Sequence, residues 1–288
     1  MAGIRFGPAG NPPSFQTAGH KSSLDMPAWL RARGLNAYEY QCVRGVHIGE
    51  GTARQLGRLA AENDIRLSIH APYYITLGTA DDVLKEKTTG HLLKSMQAAN
   101  WMDAAVVVFH PGTGAGEDRR ETLQRAKKLL GEILQQAREM GLAQIKVAPE
   151  TAGKPAQLGN LEEVLELCDC GPQVVPAIDF GHLHAASGGG FTGEEAFMAV
   201  LDRVEAHLGR EAVRHLHIHF SPIEFTRAGE KRHRTTLEPG FGPDFALLAR
   251  LLVKRELEPT IICESYDRQA EDALVFKQLY EEMKNADK

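Results

Sequence analysis

Twelve histidines stand among the 288 residues, and their positions say more than their number. Apolar runs rich in Val, Ile and Phe repeatedly close on an ionisable side chain. Such closures are Ser68-Ile69-His70, Val106-Val107-Val108-Phe109-His110, Val147-Ala148-Pro149-Glu150 and Ile178-Asp179, with His182 three residues on. His215, His217 and His219 then alternate, and Ile261-Ile262-Cys263 leads into Glu264. Runs of this kind make poor core, because burying unpaired charge is expensive. Imidazoles and carboxylates with no matching Lys or Arg are instead what divalent transition metals need, and the mixture suits zinc, manganese or iron. At least seven such groups are too many for one four-coordinate ion. Two or three ions bridged by a carboxylate fit better. A lone histidine at the end of a strand is usually just hydrogen-bonded or solvated, but six strand ends in succession are not explained that way.

The other histidines have blander expectations. His215 lies deeper in its strand and reads as a satisfied core or interface residue, and His184 as structural. His20, His47, His91 and His207 read as surface residues. His233 sits in the polar stretch 228–236, which as a loop would hang over the same rim and bring a further metal ligand.

The elements that must position these groups alternate in type. Short β-rich runs at 4–6, 37–40, 66–70, 106–110, 145–148, 174–178, 215–219 and 260–263 are bounded by Gly, Pro or polar residues. Between them, Leu123, Ala126, Leu130, Ile133 and Ala137 recur at helical spacing, as do Phe197, Val200, Leu201, Val204 and Leu208, and Val275, Leu279 and Met283. Weaker helical patterns cover 53–62, 81–102, 160–168 and 244–256. Eight strand–helix alternations without a linker predict a single (β/α)8 TIM barrel over residues 1–288, whose chemistry sits at the C-terminal strand ends. A doubly wound sheet would usually carry a Gly-rich phosphate loop after its first strand, and Gly7-Pro8-Ala9-Gly10 is not one.

Composition sets outer bounds. At 43% hydrophobic and 25% charged residues the chain is neither disordered nor a disulfide-stapled miniprotein, and Cys42, Cys168, Cys170 and Cys263 form no framework. The longest wholly apolar run, 104–109, is far short of the roughly 18 residues of a membrane span. The first ten residues carry no secretion signal, so a cytoplasmic location is expected, and with no exposed apolar stripe a monomer. The formal charge of −5 argues mildly against a nucleic-acid partner. Two bound divalent cations would bring it to −1 and three to +1, which weakens that objection.

Together these segments resemble the endonuclease IV family of abasic-site DNA repair enzymes (AP endonuclease family 2), from about Arg66 onward and less clearly before it. The resemblance rests on Ser68-Ile69-His70-Ala71-Pro72-Tyr73, His110-Pro111-Gly112, Glu150-Thr151-Ala152-Gly153, Asp179 with His182, His217-Ile218-His219-Phe220-Ser221, Arg232-His233 and Cys263-Glu264-Ser265. It implies metal-dependent hydrolysis of the phosphodiester 5′ to an abasic site in double-stranded DNA, with zinc as cofactor in two or three ions and manganese as the alternative. Carried over by position, His70 and His110 would hold one ion. Asp179, His217 and Glu264 would hold a second, with Glu150 bridging, and His182 and His233 a third. Aligning Ser221 with a family serine selects His217, and His219 stays as the alternative. Where the family's third ion takes an aspartate, this chain has Lys231, with Glu230 beside it as a substitute donor. Glu150 and Glu264 are the expected catalytic residues. Tyr73 matches a family tyrosine that enters the DNA near the lesion.

Further DNA contacts are expected from the loop at 38–46, with Tyr40, Gln41 and Arg44, and from Lys231, Arg232 and Arg234 beside the site. Sugar isomerases and epimerases on similar barrels share only the subset Glu150, Asp179, His217 and Glu264, which would hold a single ion. The additional His70, His110, His182 and His233 favour the endonuclease over them. A lesion- or metal-binding protein without catalysis is the remaining rival, and Lys231 is the feature that points to it.

Overall fold

The structure is a computed structural model that describes residues 3–113 and 118–286. Among these residues ten strands occur: β1 (Arg5–Pro8), β2 (Ala37–Gln41), β3 (Arg66–His70), β4 (Val107–Phe109), β5 (Val147–Pro149), β6 (Ala177–Asp179), β7 (His217–Phe220), β8 (Ile223–Thr226), β9 (Gly229–His233) and β10 (Thr260–Cys263). Eight of them form the (β/α)8 barrel that the alternation predicts. All pairs are parallel, in two arcs, β2-β3-β4-β5 and β6-β7-β10-β1. The arcs join through the parallel bridges Ala9–Glu39, Val147–Val174 and Glu150–Ala177. Strands 66–70 and 260–263 match the sequence expectation, and the other six are displaced at their ends by one to three residues.

Alternation along each strand sorts side chains between two environments. On β7, Ile218 and Phe220 join the large apolar cluster packed beneath the helices, which turns His217 and His219 into the barrel. The interior is otherwise filled with small groups, among them Ala37, Ala148, Ala177 and Val108. Register then fixes depth. Asp179 pairs with His219, whereas His217 pairs with Ala177, two residues further down the barrel.

The outer helices start where the sequence offers a cap. Asp81, Asp118 and Asn160 each accept from a first-turn backbone N–H, and Asn160 with Glu163 forms a reciprocal capping box. Caps of this kind contribute about 0.5–2 kcal/mol each. Among the described residues no helix is long and apolar enough to cross a membrane, and all four cysteines are free.

Two expectations need correction. The stretch beyond β7 is not a loop but the antiparallel hairpin β8–β9. His215 is not in the barrel: it ends the short helix Arg210–Arg214 and lies exposed, 3.6 Å from Glu211.

A candidate metal centre at the C-terminal rim

Glu150 lies at the middle of the rim, fully buried at the end of β5. Its Oε2 is 3.1 Å from His70 Nε2 and 3.6 Å from His110 Nδ1. Its Oε1 is 3.2 Å from His182 Nδ1 and 3.3 Å from His219 Nδ1. Four histidines from four elements therefore meet one carboxylate. Burial alone would raise the Glu150 carboxyl, but His110 and His219 in the first place hold it well below its ordinary range. Glu264, which follows β10, lies 3.4 Å from His219 Nδ1. Burial raises its carboxyl against the pull of His219 and His233.

Asp179 has two duties. One oxygen caps the helix Phe180–Ala186 by accepting from the His182 N–H at 2.7 Å. That bond turns the other oxygen, Oδ2, toward the centre. The same turn places His182 over the rim, its Nδ1 donating to the Thr151 carbonyl at 3.0 Å and its Nε2 3.5 Å from Glu230.

Hairpin β8–β9 brings the remaining donors. Pairing runs Glu224 to Arg232 and then Phe225 to Glu230, so Lys231 is an extra residue in β9. A bulge of this sort resets the alternation. Glu230 and His233, three apart in sequence, consequently turn toward one centre with His182. Lys231 itself lies exposed against Glu224 at 2.5 Å. Gly153 permits the approach, because a Cβ there would come within 2.8 Å of the Glu230 side chain.

Donor atoms gather into adjoining groups: His70, Glu150 and His219; Glu150, Asp179, His219 and Glu264; and His182, Glu230 and His233. Among the described residues, four buried polar atoms here have no hydrogen-bond partner, namely His110 Nδ1, Glu150 Oε1, Asp179 Oδ2 and His219 Nδ1. Leaving such groups unsatisfied costs about 1–3 kcal/mol apiece. A divalent cation among them removes that cost, and the donor set fits one. His110 is ready as a ligand: burial, together with the neighbouring histidines, lowers its pKa to about 4 despite Glu150, so its ring is neutral.

The structure brings His70, His110, Glu150, Asp179, His182, Glu230, His233 and Glu264 together around one cavity or just beneath it. The placement of His217 is corrected. It sits one layer too deep, 2.9 Å from Glu39, and His219 takes the position beside Asp179 and Glu264. The cavity has a volume of about 480 Å³, and Tyr73 stands at its mouth, 60% exposed and stacked beside His110. Arg44 is exposed and is not among the cavity's lining residues. Nor are Lys231 and Arg232; the Arg232 guanidinium lies 4.3 Å over the exposed ring of Tyr266. Sequence reasoning missed Glu39, which falls mid-strand rather than at an end, and Lys154, an exposed lysine on the cavity wall. The acidic residue of Tyr38-Glu39-Tyr40, inside an otherwise apolar strand, was the available signal for Glu39.

A family model described as a xylose isomerase-like TIM barrel matches residues 27–286. An uncharacterized protein of Methanocaldococcus jannaschii is 32% identical over 278 residues, 96% of this chain and 97% of that one. Endonuclease 4 of Thermus thermophilus is 29% identical over 195 residues, which is 68% of this chain but only 63% of that relative. A solved endonuclease IV from the same species superposes with a TM-score of 0.70 at 21% identity, covering 96% of this chain and 99% of that one. A D-tagatose 3-epimerase-like protein superposes with a TM-score of 0.73 at 19% identity over 99% of both chains. At these identities the two structural likenesses speak for the fold alone.

Proposed function

The chain belongs to the xylose isomerase-like TIM barrel family, and on that premise we propose that it is a metal-dependent endonuclease that cuts the phosphodiester 5′ to abasic sites in double-stranded DNA. The observation that carries this reading is the size of the donor set. A sugar isomerase or epimerase on this barrel needs the one-ion subset Glu150, Asp179, His219 and Glu264. Here that subset is continuous with His70 and His110 on one side and with His182, Glu230 and His233 on the other. Endonuclease 4 of Thermus thermophilus supports the reading as a relative in sequence.

Zinc, or manganese in its place, would be held by these residues in two or three ions. When bound, such ions neutralise phosphate oxygens and lower the pKa of water so that hydrolysis runs near neutral pH. Glu150 offers one oxygen to each side and so ties the groups together. Tyr73 presents an exposed ring that would fill the gap a sugar without a base leaves in the stack. Lys154 on the cavity wall, and the Arg232–Tyr266 pair beyond it, suit a phosphate backbone and an unstacked base.

Cleavage of a short duplex carrying one abasic-site analogue tests the reading, with an intact duplex and chelator-treated protein as controls. Chelator-sensitive cutting only at the lesion, leaving a 3′-hydroxyl, is expected. Fully metallated protein that leaves the duplex whole but epimerises a ketose would replace this function with the sugar-active one.

A further inference from the structure

Two of the histidines at the centre turn one ring nitrogen inward while an uncharged group holds the other: His70 Nδ1 donates to the Ala71 carbonyl at 2.9 Å, and His233 Nδ1 meets the Ser221 hydroxyl at 2.7 Å. His182 Nδ1 is shared between the Thr151 carbonyl at 3.0 Å and the carboxylates of Glu150 and Asp179 at the centre itself, at 3.2 and 3.4 Å. At His219 the outer partner is a carboxylate. Glu39 Oε2 lies 3.1 Å from His219 Nε2 and comes from β2, 180 residues away in sequence.

We propose that Glu39 is a positioning residue for the metal centre: it accepts the Nε2–H of His219 and so leaves Nδ1, aimed between Glu150 and Glu264, as the nitrogen that gives up its proton to a metal. The idea rests on the metal-centre reading above and adds to it the reason that His219, not His217, is the strand-seven ligand. His219 Nδ1 is 3.3 Å from Glu150 and 3.4 Å from Glu264, buried and, among the described residues, without a hydrogen-bond partner. It is thus the one aimed nitrogen that serves both the His70 group and the Asp179 group.

Glu39 has no direct part in catalysis, since it is fully buried and absent from the cavity wall. Its oxygens are used up by donors: Ser68 Oγ at 2.9 Å, Gln41 Nε2 at 3.2 Å, and both His217 Nε2 at 2.9 Å and His219 Nε2. A buried carboxylate is tolerable only when its lone pairs are met in this way. Burial would raise its carboxyl, but His219 and His217 hold it ionised, far below the usual range. Burial also lowers His217, which stays neutral and donates its own N–H as the floor of the network. The distances within Glu39, His217 and His219 are those of hydrogen bonds, and no ion is needed to satisfy the trio. An anionic acceptor behind a ligating imidazole fixes the ring, sets the tautomer and raises the basicity of the inward nitrogen.

The test is equilibrium competition for zinc against a chromophoric chelator, with bound zinc counted, on the wild type, Glu39→Gln, His219→Ala and the double variant. Glu39→Gln is expected to weaken zinc by about 10–100-fold. In the His219→Ala background the same change should move affinity by no more than about twofold, because the residue it acts through is gone. Equal weakening in both backgrounds would mean that Glu39 merely supports the fold, and unchanged affinity in Glu39→Gln would also overturn the proposal. A wild type that binds no zinc would remove the metal centre itself, a result distinct from either. Long-range ¹H–¹⁵N correlations on the zinc-loaded wild type need no variant. They should show His219 protonated on Nε2 and ligated through Nδ1, and the opposite arrangement would sink the idea.

Discussion

Glu150 and Glu264 are both carboxylates at the ends of barrel strands, yet their surroundings push them in opposite directions. Glu150 has four histidines around its oxygens and stays ionised. Burial raises Glu264 against the pull of His219 and His233, and the charges of Glu150 and Asp179 add to the rise. In the metal-free protein its negative charge is therefore the less well compensated of the two, and it gains most from an added cation. Glu264→Gln keeps the volume but removes that charge. Nicking should fall by about a hundredfold or more, the scale on which losing one electrostatic stabiliser of a transition state acts. Far-UV circular dichroism should remain that of the folded barrel. Near-normal cutting by a folded Glu264→Gln protein would take Glu264 out of the reaction.

At the scale of elements, a third ion in the proposed centre would depend on the hairpin. With strict alternation, Glu230 and His233 would face opposite sides of β9. The extra residue Lys231 brings them round to His182 and leaves its own ammonium outside, on Glu224. Glu230→Ala should then lower the zinc bound per chain by one while the ions on Glu150 remain, as counted by atomic emission after desalting. An unchanged count would mean that His182 and His233 hold their ion without Glu230. Gly153→Ala should act in the same direction, since its Cβ would meet the Glu230 side chain and His182. Strand β9 was not legible in residues 228–236, whose polar sequence has no apolar alternation to mark a strand. Six of the eight barrel strands stood out because their apolar runs lead into a charged or imidazole side chain, as at Phe109-His110 and Cys263-Glu264. Choosing between His217 and His219 was beyond the sequence for a different reason. Both lie on one face of β7, and only the register that pairs Asp179 with His219 separates their depths. Glu39 escaped likewise, because its partners His217 and His219 meet it only across the closed barrel.

For the whole molecule, the proposed metal centre would link metal, protons and stability through the same nitrogens. Burial would lower His70, but hydrogen bonding and charge from Glu150 outweigh it and raise its pKa to about 9. Burial likewise opposes, and carboxylates override, at His182 and His219, which lie well above the ordinary value. In the metal-free protein these three histidines are cationic at neutral pH and their pairing stabilises the fold. That contribution is full below the unfolded value near 6.5 and is lost as pH rises through the folded value, near 9 for His70. Zinc requires the same lone pairs without their protons, so loading must release protons and its apparent affinity must climb over the same interval. His110, already neutral above about pH 4, adds nothing to that release. The metal-free protein should therefore lose Tm between about pH 6.5 and 9, while the gain in Tm on adding a fixed excess of zinc should widen. At a thousandfold excess over Kd the gain corresponds to about 4 kcal/mol, several degrees in Tm for a chain of this size. Calorimetric titration in buffers of different ionisation enthalpy counts the protons directly. A zinc affinity that stays flat from pH 6 to 9, with no proton release, would show that His70, His182 and His219 do not ligate the metal.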